Sequence, residues 1–359
     1  MHLALDMTPA ARSDATGVGR YARDLAHALI GELSAGDELS VCTRLSRWRE
    51  HRQRFRHPQA RNRWFHAFGG PGGRPDVFHG TDARLPERCR AALVATVHDV
   101  FSLDSEHWAS PRFRARKRGH YAAIARDAER IVFDSNATQE RFLEHYPETA
   151  ARGRVVYLGV TPHFQPAEAS RIAALRARYD LPSEYALYVG EISARKNLVN
   201  QARGLAASRT ALPWVWVGRD SFGAPEIHEQ VRQVPGVEPR CLGYVSDEWL
   251  PAIYSGASLL TFASHDEGFG FPALEAMACG TPAVVASGGA VAEVTGDAAM
   301  GADPQDPESI AGAIRDVVEN PNLREQLAVR GLQRAARFSW QNTAREMFAV
   351  YRELVPRAS

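Results

Sequence analysis

Short, nearly unbroken apolar runs alternate along the chain with longer stretches whose apolar residues recur at helical spacing. This rhythm predicts βα units on parallel sheets, because strands buried on both faces need continuous apolar runs whereas sandwich strands alternate. Strands are expected at 2–6, 38–43, 76–79, 93–97 and 131–134, with a helix over 18–33. Around 158–185 the rhythm is interrupted by a proline-punctuated connection and one exposed helix. It then restarts, with strands at 185–189, 214–217, 240–242, 258–262 and 283–286. The stretch 306–359 is helical in period and holds no strand-like run. Two parallel-sheet domains are therefore expected, 1–165 and 166–359, the last helix at about 340–357 crossing back to the first domain.

Composition narrows the class. A chain of 359 residues exceeds the usual size of a single core. With 45% hydrophobic and 24% charged residues it is of ordinary globular type. A net charge of +1 argues against a surface built for nucleic acid. Cys42, Cys89, Cys241 and Cys279 are far apart and lie in no zinc-type spacing, so neither a disulfide framework nor a structural metal is indicated. No stretch approaches the ~18 uninterrupted apolar residues of a membrane span, and the amino terminus lacks a leader pattern. A cytoplasmic protein is expected, with peripheral attachment at the inner face of the membrane a further candidate. That candidate rests on 44–68, where arginines interleave with Trp48, Phe55, Trp64 and Phe65, and on the basic run 111–118. The first segment reads equally as an anionic-lipid surface or as a solvated helix with core aromatics.

The segment 264–280, SHDEGFGFPALEAMACG, carries the chemistry. It follows a predicted buried strand, and Pro272 marks the start of a helix that Gly280 ends. A strand–glycine loop–helix junction presents unpaired N–H groups and the positive end of the helix dipole, which suits a diphosphate. Gly268 and Gly270 allow close approach of backbone to ligand. Glu267 and Glu275 bracket the loop. Beside bound phosphates they are better acceptors for sugar hydroxyls than phosphate ligands, although Glu275 as a helix-terminus charge and Glu267 as a surface charge stay open.

These residues resemble the E-x7-E signature of family 4 glycosyltransferases of GT-B fold. TGVGRY at 16–21, TVHDV at 96–100, YVGEISARKN at 188–197, LGYVSDEWLPAIYSGAS at 242–258, EVTGDAA at 293–299 and FSW at 338–340 resemble that family in the expected order. The resemblance implies an α/β fold of two Rossmann-like domains facing across a cleft with carboxy-terminal helices, the first binding acceptor and the second nucleotide sugar. It implies that Glu267 lies near the donor sugar and Glu275 binds ribose hydroxyls. The backbone of Gly268, Phe269 and Gly270 would hold sugar hydroxyls and diphosphate, gripped by Arg195 and Lys196. Cations there stabilise charge on the leaving diphosphate, and no DxD motif occurs, so metal independence is expected. Glu191 departs from relatives that carry a further arginine there.

In the first domain the resemblance points to His98 near the donor sugar, with Asp99 either beside it or capping a loop, and to Gly17, Gly19 and Arg20 as cleft residues. Gly243 to Val245 resembles the base-contacting region, with Gly218 and Arg219 bordering the same pocket. The implied enzyme is a retaining hexosyltransferase making surface polysaccharide. Its partners are a nucleoside-diphosphate sugar, GDP-mannose preferred over UDP-sugars, and a glycan or lipid-linked acceptor, with no separate cofactor. Two other classes compete: a catalytically silent homologue that binds a sugar nucleotide or a partner, and a nicotinamide-dependent oxidoreductase. GxGxxA at 17–22 invites the latter, but the long connection from residue 6, including Pro9, departs from the tight dinucleotide-binding turn.

Overall fold

The computed structural model describes residues 1–11, 17–47, 55–66 and 70–355. The chain forms two compact units, one of Met1–Leu103, Pro111–Gly159 and Phe338–Ser359, the other of Asp104–Ser110 and Val160–Arg337.

Among the described residues the first unit holds eight strands: β1 (His2–Asp6), β2 (Glu38–Arg44), β3 (Ala60–His66), β4 (Gly70–Pro71), β5 (Val77–Gly80), β6 (Ala92–Val97), β7 (Arg130–Phe133) and β8 (Gly153–Val155). Their order is β4-β3-β2-β1-β5-β6-β7-β8, parallel throughout except where β4 runs antiparallel to β3. The chain grows outward from β1 to β3 and returns to β5 on the other side of β1, so the order reverses between β1 and β5. The central strands bury nearly every residue, as two-sided coverage requires. β3, ARNRWFH, lies next to the edge strand and buries only Ala60 and Phe65. This overturns the helical alternative for the arginine–aromatic segment over 60–66, where Phe65 is a core residue packed on Phe78. Trp48, Arg49, Arg52 and Arg54 of that segment lie outside the described residues.

The helix Trp340–Arg352 belongs to this first unit. Ser339 caps it by accepting from the Asn342 N–H. Tyr351 hydroxyl lies 2.7 Å from His79 Nδ1, and His79 Nε2 lies 2.7 Å from Thr96 Oγ1, which in turn meets the Tyr21 hydroxyl at 2.9 Å. This buried chain ties the last helix to β5, β6 and the helix Gly17–Gly31. Burial, with His98 nearby, drives the His79 pKa down to about 3, so the ring is neutral and its two nitrogens play opposite donor and acceptor roles.

The second unit holds β9 (Ala186–Val189), β10 (Trp214–Val217), β11 (Arg240–Cys241), β12 (Leu259–Phe262), β13 (Ala283–Ala286) and β14 (Met300–Ala302), all parallel in the order β11-β10-β9-β12-β13-β14. Here the order reverses between β9 and β12, and open α/β sheets bind ligands beyond the carboxyl ends of strands at such a reversal. The helices Pro307–Glu319 and Pro321–Ala335 pack on this unit, and the linking helix Ala169–Tyr179 buries only Leu175. Among the described residues no helix is long and apolar enough to cross a membrane.

Gly159 tests the docking of the last helix. A Cβ there would lie 2.2 Å from the Trp340 backbone nitrogen, so Gly159→Ala must push the helix start away and should cost about 2 kcal/mol or more. Gly17→Ala, with nothing within 4 Å of the added atom, should leave thermal unfolding nearly unchanged.

Candidate functional site

At the β9–β12 reversal the two loops interlock. After β9 the chain passes through Gly190 into a short 3-10 turn, Ala194–Lys196, and the helix Leu198–Ser208. Asn197, in left-handed conformation, donates its amide to the carbonyls of Ala263 and Pro304 and pins this loop to the end of β12. The Arg195 carbonyl accepts from the His265 N–H at 3.0 Å, and the Arg195 guanidinium donates to the Asp266 carbonyl and to Glu267 Oε2, the latter at 2.9 Å. Lys196 Nζ donates to Glu267 Oε1 at 2.6 Å. One carboxylate thus bridges both cations.

Lys196 is buried, and Arg195 and Glu267 are half-buried beside it. Burial would push the Glu267 carboxyl up, but the charges of Lys196 and Arg195 outweigh it and hold the pKa at about 2. Burial lowers the Lys196 pKa, with Glu267 opposing and Arg195 adding to the fall; the hydrogen-bonded contact with an ionised carboxylate keeps the ammonium charged. The ammonium also sits 5.1 Å from the Phe262 ring centroid. In the fold the two cations share one carboxylate, so these three groups together carry +1, with Glu191 and the buried Asp266 on the same loops. The shared carboxylate fixes both side chains in place.

The following helix is Phe271–Ala278, with Pro272 in its first turn and Gly270 as cap at φ +101. A Cβ on Gly270 would come within 3.0 Å of Val291. Phe269 is buried and packs edge-on against Phe271 at 5.3 Å. Glu275 is buried, its Oε2 accepting from the Tyr254 hydroxyl at 2.7 Å, so it is no solvated helix-terminus charge. Gly218 has a sufficient structural reason: at φ +151 its Cβ would lie 1.8 Å from the Gly190 carbonyl oxygen. Val245 is buried, beside an exposed Tyr244 that carries the Arg219 guanidinium 4.8 Å above its ring.

In the first unit, His98 follows β6 and stands next to Asp134, which follows β7. His98 Nδ1 meets Asp134 Oδ2 at 2.6 Å and Nε2 meets the Thr81 carbonyl at 2.9 Å. Both ring nitrogens face acceptors, which only an imidazolium satisfies. Burial opposes that charge, but Asp134 and the Thr81 carbonyl prevail and lift the pKa to about 9. The Tyr21 ring stands edge-on at 4.6 Å. Asp99 has a buried Oδ1 with no hydrogen-bond partner, and its carbonyl accepts from Tyr121. Gly19 abuts the Pro9 carbonyl, 2.9 Å from where a Cβ would sit, whereas Gly17 opens to free space. Asp134, Thr81 and Tyr254 are partners that the motif reading omits. Asp134 was discoverable, since two strands predicted as neighbours in chain order end in a histidine and an aspartate.

Comparison with known proteins agrees with this architecture. Residues 176–334 match the model for glycosyl transferases group 1, and residues 15–164 match that for glycosyltransferase family 4. The chain is 30% identical to O-antigen chain mannosyltransferase B of Escherichia coli over 289 residues, 77% of this chain and 74% of that protein. It is 31% identical to a D-inositol 3-phosphate glycosyltransferase of Nocardioides over 315 residues, 79% of this chain and 68% of that protein. Among solved structures it resembles sucrose-phosphate synthase from Thermosynechococcus elongatus, with TM-score 0.77, 21% identity and 99% of both chains covered. It also resembles Anabaena HepE in complex with UDP and glucose, with TM-score 0.74, 18% identity and 99% of both chains. The fold is GT-B. The chain belongs to the group 1, family 4 glycosyltransferases, enzymes that transfer a sugar from a nucleotide sugar.

The His98–Asp134 pair predicts a pH signature. The folded protein keeps the imidazole proton to about pH 9, while the unfolded chain releases it near 6.5. The pair's contribution to stability is therefore complete below pH 6.5 for as long as Asp134, whose own pKa burial raises, stays ionised, and it is lost as pH rises through 9. Asp134→Asn should bring the titration, read by NMR of the ring, down by more than one unit.

Proposed function

We propose that this chain is a retaining hexosyltransferase whose donor diphosphate is held by Arg195, Lys196 and the N–H groups of the Gly268–Gly270 loop. The observation that supports this most strongly is the buried Arg195–Lys196–Glu267 cluster at the sheet reversal, cationic in sum and beside a glycine-capped helix start. In this reading Glu267 keeps the two cations in place and meets the donor sugar, Glu275 accepts from ribose hydroxyls, and the Gly218 and Gly243–Val245 loops border the base. Gly17, Gly19, His98 and Asp99 serve the first unit's share, the acceptor and the transferring sugar. The His98 imidazolium would donate to a sugar oxygen.

Transfer proceeds on one face of the sugar. The anomeric carbon–oxygen bond to the diphosphate breaks as the acceptor hydroxyl oxygen bonds to that carbon. The hydroxyl proton passes to the departing diphosphate. Charge accumulating on that group is met by Arg195 and Lys196, the work that a divalent ion performs in other glycosyltransferases, so metal independence is part of the proposal. Mannose from GDP-mannose is the preferred donor, supported by likeness to the E. coli mannosyltransferase, with a surface glycan or its lipid-linked precursor as acceptor at the cytoplasmic face. A UDP-sugar is the second reading, favoured by the HepE likeness.

Lys196→Ala should lower turnover about 100-fold or more, since one preorganised cation facing the leaving group is worth that much. Unchanged activity would refute the role. A thermal-shift panel of GDP, UDP and their sugars should show stabilisation by one base over the other. Activity should survive EDTA; restoration of a chelator-killed enzyme by a divalent ion would overturn metal independence.

A further inference from the structure

The two glutamates that bracket the glycine loop are held in different ways. Glu267 is bound by two cations, whereas Glu275 Oε2 accepts from a phenol, the Tyr254 hydroxyl, at 2.7 Å. Glu275 is buried on the helix Phe271–Ala278, of which 273–278 are buried throughout. A carboxylate withdrawn from water is costly unless it is hydrogen-bonded, and a bond to an ionised acceptor is of the stronger kind.

Tyr254, on the helix Leu250–Gly256, is held in register with the Glu275 helix by more than this one bond. Its carbonyl accepts from Thr281 Oγ1 at 2.7 Å, and its neighbour Ser255 donates to the Cys279 carbonyl at 3.3 Å. Cys279 caps the Glu275 helix and Thr281 lies just beyond it. The Tyr254 ring also stands edge-on to Phe164, with centroids 6.0 Å apart. Phenol and carboxylate therefore meet on a fixed frame.

A buried tyrosine needs an acceptor for its hydroxyl, and a backbone carbonyl is enough for that. Tyr185 and Tyr188 of the same unit are satisfied in that way, donating to the carbonyls of Ile253 and Glu191, each at 2.7 Å. Tyr254 instead donates to the side chain of the loop's second glutamate. The terminal torsion of a glutamate has no sharp preference, so an unrestrained carboxylate turns readily. Engaging one oxygen fixes the plane of the group and with it the direction of the lone pairs on both oxygens.

We propose that Tyr254 is a positioning residue that aims Glu275 at the ribose hydroxyls and so makes the donor site select ribonucleotides over deoxyribonucleotides. The inference rests on the reading that Glu275 accepts from the ribose. Tyr254 acts through Glu275 and needs no contact with the sugar itself.

The test is calorimetric titration of GDP and 2′-deoxy-GDP into the full chain, or of UDP and 2′-deoxy-UDP if UDP binds more tightly. The unaltered chain should prefer the ribose form about tenfold or more, because the deoxy form leaves an ionised acceptor without its hydroxyl. Tyr254→Phe keeps the ring against Phe164 and should shrink that preference to about threefold or less. Both nucleotides meet the same sample, so partial unfolding weakens each alike and leaves their ratio unchanged. Thr281→Val, which releases the Tyr254 carbonyl, should move the ratio in the same direction and serves if Tyr254→Phe fails to fold. In Glu275→Gln the preference should largely vanish, and adding Tyr254→Phe to it should change the ratio no further. A preference lost in Glu275→Gln but unmoved by Tyr254→Phe, or by Thr281→Val in its place, overturns the positioning role and leaves the ribose reading standing. A preference absent from the unaltered chain, or surviving Glu275→Gln, refutes the ribose reading and the positioning role with it.

Discussion

The structure of the second unit turns on one carboxylate shared by two cations. Glu267 follows β12 and receives Lys196 and Arg195 from the loop after β9, so the ion cluster bridges the two strands between which the sheet reverses its order. Two buried like charges side by side would repel strongly in a medium of low polarity, and their partner carboxylate makes the arrangement tolerable. The residual positive charge is then fixed in position before any ligand arrives. Preorganised charge of this kind needs no rearrangement during reaction, which is why it suits a leaving group that becomes more anionic as its bond breaks.

Backbone geometry around the cluster serves the same end. Gly190 and Gly218 permit the loops after β9 and β10 to lie in contact, and the Gly218 N–H donates on to the Gly243 carbonyl, so three successive loops are joined edge to edge. Ile192 pairs with Asp220 along the same seam. In the first unit, a buried relay of hydroxyls and the neutral His79 plays the corresponding structural part, while the neighbouring His98 holds its proton through Asp134. Two histidines on adjacent strands thus take opposite charge states, one set by hydroxyl neighbours and the other by a carboxylate.

Much of this was legible in the chain. The apolar runs at 2–6, 214–217 and 283–286 coincide with β1, β10 and β13, because strands buried on both faces leave a continuous hydrophobic signal. β3 was missed since a strand holding Arg61 and Arg63 has no such run, and β8 and β14 are three residues long. The motif reading singled out Glu267, Arg195 and Lys196 but gave the carboxylate and the two cations separate roles. Their pairing joins residues some seventy positions apart, and only strand order brings those together. Similarly, nothing in the resemblance that places Gly218 at the border of the base pocket shows the Gly190 carbonyl packed against it.

The central claim is spatial, that the shared-carboxylate cluster receives a diphosphate. A crystal structure of the chain soaked with GDP or UDP tests it most directly. The account predicts phosphate oxygens within hydrogen-bond distance of Lys196 Nζ, the Arg195 guanidinium and at least one N–H of the Gly268–Gly270 loop, with Glu267 still bound to both cations. A nucleotide seated elsewhere, with Lys196 and Arg195 bonded only to Glu267, would contradict it.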